Sequence, residues 1–424
     1  MSMIMPPFPQ VLEEAPHLWQ ILVVNGAERV VLDQWTSLSI SEDHDGVRIE
    51  LEVNGIDPMI AVMRMMVTDL EFYWNDQLTY LVRIADAEDT LTRDGHAVHF
   101  SCVGYEKLLE RRILRPNDGL GAEGTYVLDT LDIDAAWSLI AYTQAKLSFG
   151  ITRGTTAHGV RRQRSLNWGD TIIECINNFA ESDAGFDWWI DAHKVWWAQK
   201  PRRGTAHDVE WRWGGEIAEL VRQSAMEDYA SLVVTTGAQN ETSIPDPPNP
   251  DRVYPPPAPQ MVQLATKPLG LWEVAVSYSD VITEPSLLEK ANWHLSDLAT
   301  IRPTYKITLE PGIWNPGFKI GDTLVMRVAS VARLNIKVPI RIEEVQIGIT
   351  ADGEEAVAMS VRAEEAETFI TPTATPLDEP DPQIAPALYG RTVAHHRLKP
   401  WDDLAAVMRT VNQRLGRQER SPSA

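Results

Sequence analysis

The chain has 424 residues, of which 44% are hydrophobic and 23% charged, a composition typical of a globular protein with about two to four domains. Its 60 acidic residues outnumber the 38 basic ones and give a formal net charge of −22, which argues against a body that binds nucleic acid through a basic face. Residues 1–10 lack the pattern of a signal peptide, and no stretch reaches the roughly 20 apolar residues of a membrane span.

The first region, residues 18–115, is predicted to form a small β-barrel domain. Apolar residues alternate with polar ones over 47–53 and again over 98–102, as on strands with one buried face. The turn pair Asn54-Gly55 ends the first of these runs. A short helix is expected to follow at 105–112.

Residues 116–240 are predicted to be an α+β insertion domain. Asp170 is expected to cap a helix in this region, since a short acidic side chain can accept hydrogen bonds from the first turn. The apolar face of this helix is formed by four residues, Ile172, Ile173, Ile176 and Phe179.

A Trp-rich hairpin is predicted within this domain, with strands over 186–190 and 195–199. It brings together four side chains interpreted as possible interface aromatics, Trp188, Trp189, Trp196 and Trp197. Because neighbouring residues of a strand face opposite sides, at most one Trp of each adjacent pair is available to a ligand. Packing in the core and at an interface is therefore favoured over a sugar-stacking platform. Trp211 and Trp213 alternate on a further predicted strand.

Residues 241–299 are predicted to be a Pro-rich loop followed by a helix. Proline fixes the backbone and removes hydrogen-bond donors, so residues 245–257 are expected to be extended. The helix is placed at 285–298, with apolar positions at Leu288, Ala291, Trp293 and Leu295. Residues 300–367 alternate apolar and polar residues in short runs separated by turns, which is typical of a second small β-barrel domain.

The C-terminal part combines a Pro-rich linker, 368–399, with a predicted helix, 400–417. The helix has an apolar stripe with heptad-like spacing, formed by Trp401, Leu404, Met408, Val411 and Leu415. From residue 391 onward there are seven basic residues and three acidic ones, so a basic tail follows an acidic body. The long linker favours docking of this stripe on a partner chain over packing on its own body.

The sequence lacks a motif that assembles a catalytic centre. Residues 119–124, Gly-Leu-Gly-Ala-Glu-Gly, match a dinucleotide-binding pattern, but a turn and not a strand precedes them. Residues 43–46 supply only part of a calcium loop and are interpreted as a turn. Cys102 and Cys175 are expected to be buried free thiols without metal-ligand spacing. The chain is predicted to be no enzyme and to use no cofactor and no metal.

Several stretches resemble minor tail proteins of long-tailed actinobacterial phages. One begins at residue 303 and reads Pro-Thr-Tyr-Lys-Ile-Thr-Leu-Glu-Pro-Gly-Ile-Trp-Asn-Pro-Gly-Phe-Lys-Ile-Gly-Asp-Thr-Leu. Ile-Arg-Ile-Glu-Glu-Val-Gln-Ile follows from residue 340 and Asp-Gly-Glu-Glu from residue 352. Upstream, the resemblance includes Val-Arg-Ile from residue 82 and Val-His-Phe-Ser-Cys-Val-Gly-Tyr-Glu-Lys-Leu-Leu-Glu-Arg-Arg-Ile-Leu-Arg-Pro from residue 98.

The resemblance implies the fold of a phage baseplate hub, in which two related β-barrels per subunit form a pseudo-sixfold ring from three subunits. It also implies a homotrimer at the virion tail tip, assembled in the host cytoplasm, which joins the tail tube to the tip and lets phage DNA pass. The implied partners are the distal tail protein, the tape-measure protein and receptor-binding or fibre proteins. The acidic composition agrees with this role, because an acidic lumen would repel DNA in transit.

Two alternatives from other functional classes stay open at the level of sequence. A tail-associated peptidoglycan hydrolase would need carboxylates that converge across a cleft, which adjacent residues such as Glu343 and Glu344 do not demonstrate. A carbohydrate-binding receptor module would use the Trp-rich hairpin as its stacking surface.

Overall fold

The computed structural model describes residues 19–93, 95–115, 125–182, 184–224, 229–237, 257–329, 335–350, 353–364 and 368–369. The chain divides into two units, Met1–Thr371 and Pro372–Ala424, and every described residue belongs to the first. The Gly-rich loop at 119–124, most of the predicted linker and the predicted helix at 400–417 lie outside the described residues.

The amino-terminal part forms seven antiparallel strands. They are β1 (Trp19–Asn25), β2 (Glu28–Val31), β3 (Trp35–Asp43), β4 (Gly46–Asn54), β5 (Asp69–Trp74), β6 (Gln77–Leu91) and β7 (His96–Val103). Ile49, Leu51 and Val53 are fully buried while their neighbours on β4 are more exposed, as the alternating pattern predicted. A 3-10 turn, Pro58–Val62, follows β4, and helix α1 (Tyr105–Leu108) continues as a 3-10 turn, Leu109–Arg111. The turn interpretation of residues 43–46 is confirmed, because they join β3 to β4.

An α+β region with its own core follows. Its elements are β8 (Thr125–Leu131), α2 (Asp132–Lys146), β9 (Thr152–Arg153), β10 (Arg161–Asn167), α3 (Ile172–Ala180), β11 (Asp187–Ile190) and β12 (Val195–Gln199). The predicted apolar face of α3 is buried. Its predicted cap was wrong by one residue: Thr171 accepts the backbone N–H of Glu174, and the Glu174 carboxylate accepts the backbone N–H of Thr171. This reciprocal capping box satisfies two donors that Asp170 alone would not.

Two strands within the span predicted as the insertion, residues 116–240, belong to the second β-region. These are β13 (Ala206–Arg212), which pairs with a strand at Thr323–Ala329, and β14 (Ile217–Gln223), which pairs with one at Thr304–Leu309. Trp211 on β13 is buried, whereas Trp213 lies beyond the end of the strand and is 45% exposed. The predicted division of the chain at residue 240 therefore cuts across a set of paired strands.

A small module separates β14 from the final strands. It consists of the sheet β16–β15–β17 and a helix, with β15 at Leu232–Thr236, β16 at Gln260–Gln263, β17 at Glu273–Ser277 and α4 at Glu284–Leu298. The helix confirms the sequence prediction, but Leu288 is 40% exposed and Leu287 takes the buried position instead. Thr283 caps the helix by accepting the backbone N–H of Ser286. No helix among the described residues is both long and apolar enough to cross a bilayer.

The last strands complete the second β-region. They are β18 (Thr304–Leu309), β19 (Thr323–Ala329), β20 (Asn335–Thr350), β21 (Glu355–Ala363) and β22 (Thr368–Phe369). The prediction of a mainly β fold with an α+β insertion is confirmed. β20 pairs with β3, so the strands of both β-regions belong to one 14-stranded sheet over a common core.

The two β-regions repeat the same arrangement of five strands. The first unit has the order β3–β4–β7–β6–β5 and the second has the order β14–β18–β21–β20–β19, with antiparallel neighbours throughout both. The repeat ends at the next strand, because β1 is antiparallel to β5 whereas β13 is parallel to β19.

Candidate functional site

The Trp-rich hairpin forms as predicted, and its four Trp side chains divide between two faces. Trp188 and Trp196 are buried in the core of the insertion, where Trp196 packs against Trp137 of α2 with ring centroids 5.7 Å apart. Trp189 and Trp197 lie on the opposite face and stack with centroids 6.4 Å apart. The alternation of a strand thus separates structural Trp residues from those near the surface.

The outward pair is half-buried and already engaged by the protein. The Trp197 indole donates to the Asp191 carboxylate at 2.8 Å, and the Arg203 guanidinium lies 5.6 Å from the centre of the Trp189 ring. Contact of Trp189 or Trp197 with a partner chain stays a prediction.

Trp189 also lines a cavity of about 380 Å³ where the first β-region, the hairpin and the second β-region meet. Aromatic side chains from all three parts line this cavity, namely Tyr80, Trp189, Trp314 and Phe318. Acidic residues of the wall include Glu42, Glu106 and Asp322.

Arg203 connects the three parts at this cavity. Its Nε–H donates to the Ile320 carbonyl at 2.9 Å, its backbone N–H donates to Asp187 at 2.9 Å, and its guanidinium lies 3.7 Å from the Glu42 carboxylate. The chain passes very close to the second β-region here, because a Cβ on Gly204 would lie 2.0 Å from the carbonyl oxygen of Gly321. Gly204 also has φ +110°, which side chains disfavour, so both its conformation and its contact require glycine.

Burial changes the protonation of the acidic wall. It raises the pKa of Glu106 to about 7, although the Ile190 backbone N–H donates to its Oε1 at 2.8 Å. Burial likewise raises the pKa of Glu42, which the nearby Arg203 guanidinium partly offsets, and raises the pKa of Tyr80 well above its ordinary value. A carboxyl with a raised pKa can be the acid of a hydrolase, so the positions of its partners decide its role.

The other acidic side chains of the cavity wall accept hydrogen bonds from protein donors. Asp191 accepts from the backbone N–H groups of His193 and Val195 as well as from Trp197, and Asp322 accepts from Thr205, His207 and Lys319. Both cysteines are buried free thiols, as expected, and burial raises the pKa of each. Within the described ranges, no group of three His, Cys, Asp or Glu residues is placed to hold a metal ion. The absence of catalysis stays a prediction.

A second charged cluster joins the first β-region to the hairpin. Asp69 accepts from Arg83 at 2.8 Å, from the Tyr105 hydroxyl at 2.6 Å and from Lys194 at 3.2 Å. Burial alone would raise the pKa of Asp69, but hydrogen bonds from Arg83 and Tyr105 outweigh it, and the pKa is lowered.

A third cluster joins the insertion to the α4 module through buried charges. On β10, Arg162 pairs with Asp132 and with Glu289 of α4, and the fully buried Arg164 lies 3.6 Å from Asp280. Lys290 of α4 is also fully buried, and burial lowers its pKa to about 8. Sequence patterns missed all three clusters, because their members are far apart in the chain and none forms a local motif. The predicted docking residues Trp401, Leu404, Met408, Val411 and Leu415 lie outside the described residues.

Comparison with solved structures relates this fold to tail proteins. The 43 kDa tail protein of prophage MuSo2 from Shewanella oneidensis matches with a TM-score of 0.57 at 11% identity, over 81% of this chain and 98% of that one. The tail protein from Neisseria meningitidis matches with a TM-score of 0.54 at 13% identity, over 82% of this chain and 97% of that one. At such identities the likeness shows a shared fold. No family model matches the sequence. No curated protein sequence matches it either.

Proposed function

We propose that the chain is a structural subunit of a bacteriophage tail tip, a hub-like ring protein that joins the tail tube to the tip. The observation that supports this most is the doubled five-stranded unit in a fold shared with two tail proteins over nearly their whole length. A chain with two equivalent units can present two similar edges to its neighbours in a ring, which a single-unit chain cannot.

The chemistry of the described residues agrees with a scaffold. The buried acidic and basic groups connect different parts of the chain, and the acidic side chains at the central cavity are hydrogen-bonded to protein donors. The net charge of −22 would keep DNA from adhering to the ring during passage. In this proposal three copies assemble at the virion tail tip of a long-tailed actinobacterial phage, after synthesis in the host cytoplasm.

The proposed partners are the distal tail protein, the tape-measure protein and receptor-binding or fibre proteins. Two experiments on the phage test the assignment. Purified virions should contain the protein in a few copies, measured by quantitative mass spectrometry. Particles made without it should have tails with no closed tip and should not infect. Infectious particles of normal form made without the protein, or its absence from purified virions, would rule out the proposal.

A further inference from the structure

The two five-stranded units match in register as well as in strand order. In the first unit β5 pairs with β6 only as far as Arg83, and in the second β19 pairs with β20 only as far as Arg341. Directly afterwards the pairing of β6 with β7 shifts between Ile84 and Asp86, and that of β20 with β21 shifts between Ile342 and Glu344. These two register shifts occur at matching positions, so Ile84 is equivalent to Ile342. The segment of β6 after Ile84 is then equivalent to the segment of β20 after Ile342.

The first strands of the units match in the same way. The pairing of β3 with β4 shifts between Trp35 and Ser37, and the pairing of β14 with β18 shifts between Ile217 and Glu219. The next pairs are Leu38 with Leu51 in the first unit and Leu220 with Ile307 in the second. Leu38 and Leu220 are therefore equivalent positions.

Inside the chain, the edge of β20 in the second unit pairs with the edge of β3 in the first unit. Residues 345–349 of β20 pair with residues 38–42 of β3 and join the two units. The equivalent segments are residues 87–91 of β6 and residues 220–224 at β14. Among the described strands, this part of β6 pairs only with β7, and β14 pairs only with β18. The second pair of junction edges thus has no partner strand within the described residues.

Apolar side chains on these two unpaired edges are exposed in the single chain, as expected if a second chain covers them. Leu91 on β6 is 82% exposed, whereas its equivalent on β20, Ile349, is 4% exposed beneath the junction. Val221 on β14 is 51% exposed. Exposed apolar residues on a strand edge promote pairing with another chain.

We propose that residues 87–91 of one copy pair antiparallel with β14 of a second copy, in the register of the junction between β20 and β3. This register places Asp89 opposite Arg222, Thr90 opposite Val221, and Leu91 opposite Leu220. Opposite charges and apolar pairs stabilise directly opposed positions on neighbouring strands. Inside the chain, the position of Asp89 and Arg222 is taken by Ile347 and Ile40, so the contact between copies brings together opposite charges that the internal junction lacks. Asp89 also lies 2.9 Å from His96 Nε2 of its own chain, and Arg222 of the second copy would join this exposed contact.

This contact is head-to-tail, since each copy contributes β6 on one side and β14 on the other. Head-to-tail contacts generate a closed ring when the rotation between copies closes, and an open filament when it does not. The strands and their register follow from the repeat alone. The expected closure at three copies rests on the proposed function.

A disulfide scan tests the register directly. The variant Thr90→Cys with Val221→Cys should form covalently linked oligomers on mild oxidation, because opposed residues on paired strands have Cβ atoms close to disulfide range. The two native cysteines are buried and should not compete. The matched control is Ser39→Cys with Gly348→Cys, the same positions at the internal junction, which should form a disulfide within one chain. A Cβ at Gly348 meets no atom within 4 Å, so this control is sterically allowed.

The expected product of the double variant is a ladder that ends at three linked chains. Either single cysteine, or the shifted pair Thr90→Cys with Glu219→Cys, should give less than about a tenth of that yield. Adding Asp89→Arg to the double variant should reduce cross-linking at least fivefold, and adding Arg222→Asp as well should restore it. An internal control that oxidises fully, beside a double variant that stays uncross-linked both as purified protein and in assembled particles, would overturn the proposal.

The outcome is separable from the proposed function. If the protein is found in virions but the Thr90 and Val221 positions do not cross-link, the pairing is wrong while the tail assignment stands. If they cross-link but the protein is absent from virions, the pairing stands while the tail assignment fails.

Discussion

Arg203 donates its Nε–H to the backbone carbonyl of Ile320 at 2.9 Å, which ties the end of the hairpin region to the second β-region. The same guanidinium lies near Glu42 on β3, so one buried cation holds both β-regions and the insertion together.

Arg203→Ala should destabilise the chain by about 3–5 kcal/mol, because it leaves the buried Ile320 carbonyl and the partly buried Glu42 carboxylate without their cation. The adjacent Arg202 is the control: its side chain is 46% exposed and pairs with Glu364 at the surface, so Arg202→Ala should cost less than about 1 kcal/mol. Chemical denaturation of both variants measures the difference. Equal losses would show that Arg203 does not have this bridging role.

The raised pKa of Glu106 predicts that the stability of the folded chain depends on pH. Burial raises its pKa to about 7 from an ordinary value of 4.5, so the folded state binds the proton more tightly than the unfolded state. Its contribution to stability is complete below about pH 4.5 and is lost as the pH rises through about 7. The free energy of unfolding of Glu106→Gln, relative to that of the parent, should therefore increase by up to about 3 kcal/mol between pH 4.5 and pH 8, at 1.36 kcal/mol for each unit of pKa difference.

Denaturation curves at several pH values test this gain. The control is Glu110→Gln on the following turn, where the carboxylate is 41% exposed, and this variant should not reproduce the gain of Glu106→Gln. A stability difference between Glu106→Gln and the parent that is constant from pH 4.5 to pH 8 would contradict the prediction.

The two faces of the hairpin should respond differently to truncation. Trp196→Ala removes a fully buried ring and should lower the free energy of unfolding by about 3–5 kcal/mol. Trp197→Ala removes a half-buried ring and should lower it by less than about 2 kcal/mol. Melting temperatures measure both losses. If Trp197 contacts a partner chain as predicted, its variant should fold and yet assemble poorly. A larger stability loss for Trp197 than for Trp196 would show that the burial of the two faces is misassigned.

The C-terminal stripe remains a prediction from sequence. Leu404→Asp with Met408→Asp should leave the folded body intact and abolish incorporation of the next tip component, because charges would replace apolar contacts on the docking face. Ala406→Asp with Gln413→Asp places the same charge on the opposite helix face and should assemble normally. Infectious particles at the normal level from the first variant would refute docking by this stripe.

The elements that could be predicted from the sequence are those whose structure depends on a local pattern of residues. The alternation on β4, the Trp hairpin and the helix α4 follow from periodicity and turn residues, and all three form. The pairing of β3 with β20 was not predictable from them, because strand alternation gives the buried face of each strand but not its neighbour 300 residues away. The roles of Arg203 and Glu106 were hidden for the same reason: their partners Ile320 and Ile190 are neighbours only in the folded chain.

The most direct measurement of the central claim is a cryo-EM map of the tail tip of the intact virion, with this chain traced in the density. We expect three copies in a ring at the junction between the tube and the tip, with the two five-stranded units of each copy alternating around the lumen. Six copies or a single copy in the ring would contradict the trimeric hub, and a tip without this chain would contradict the tail assignment itself.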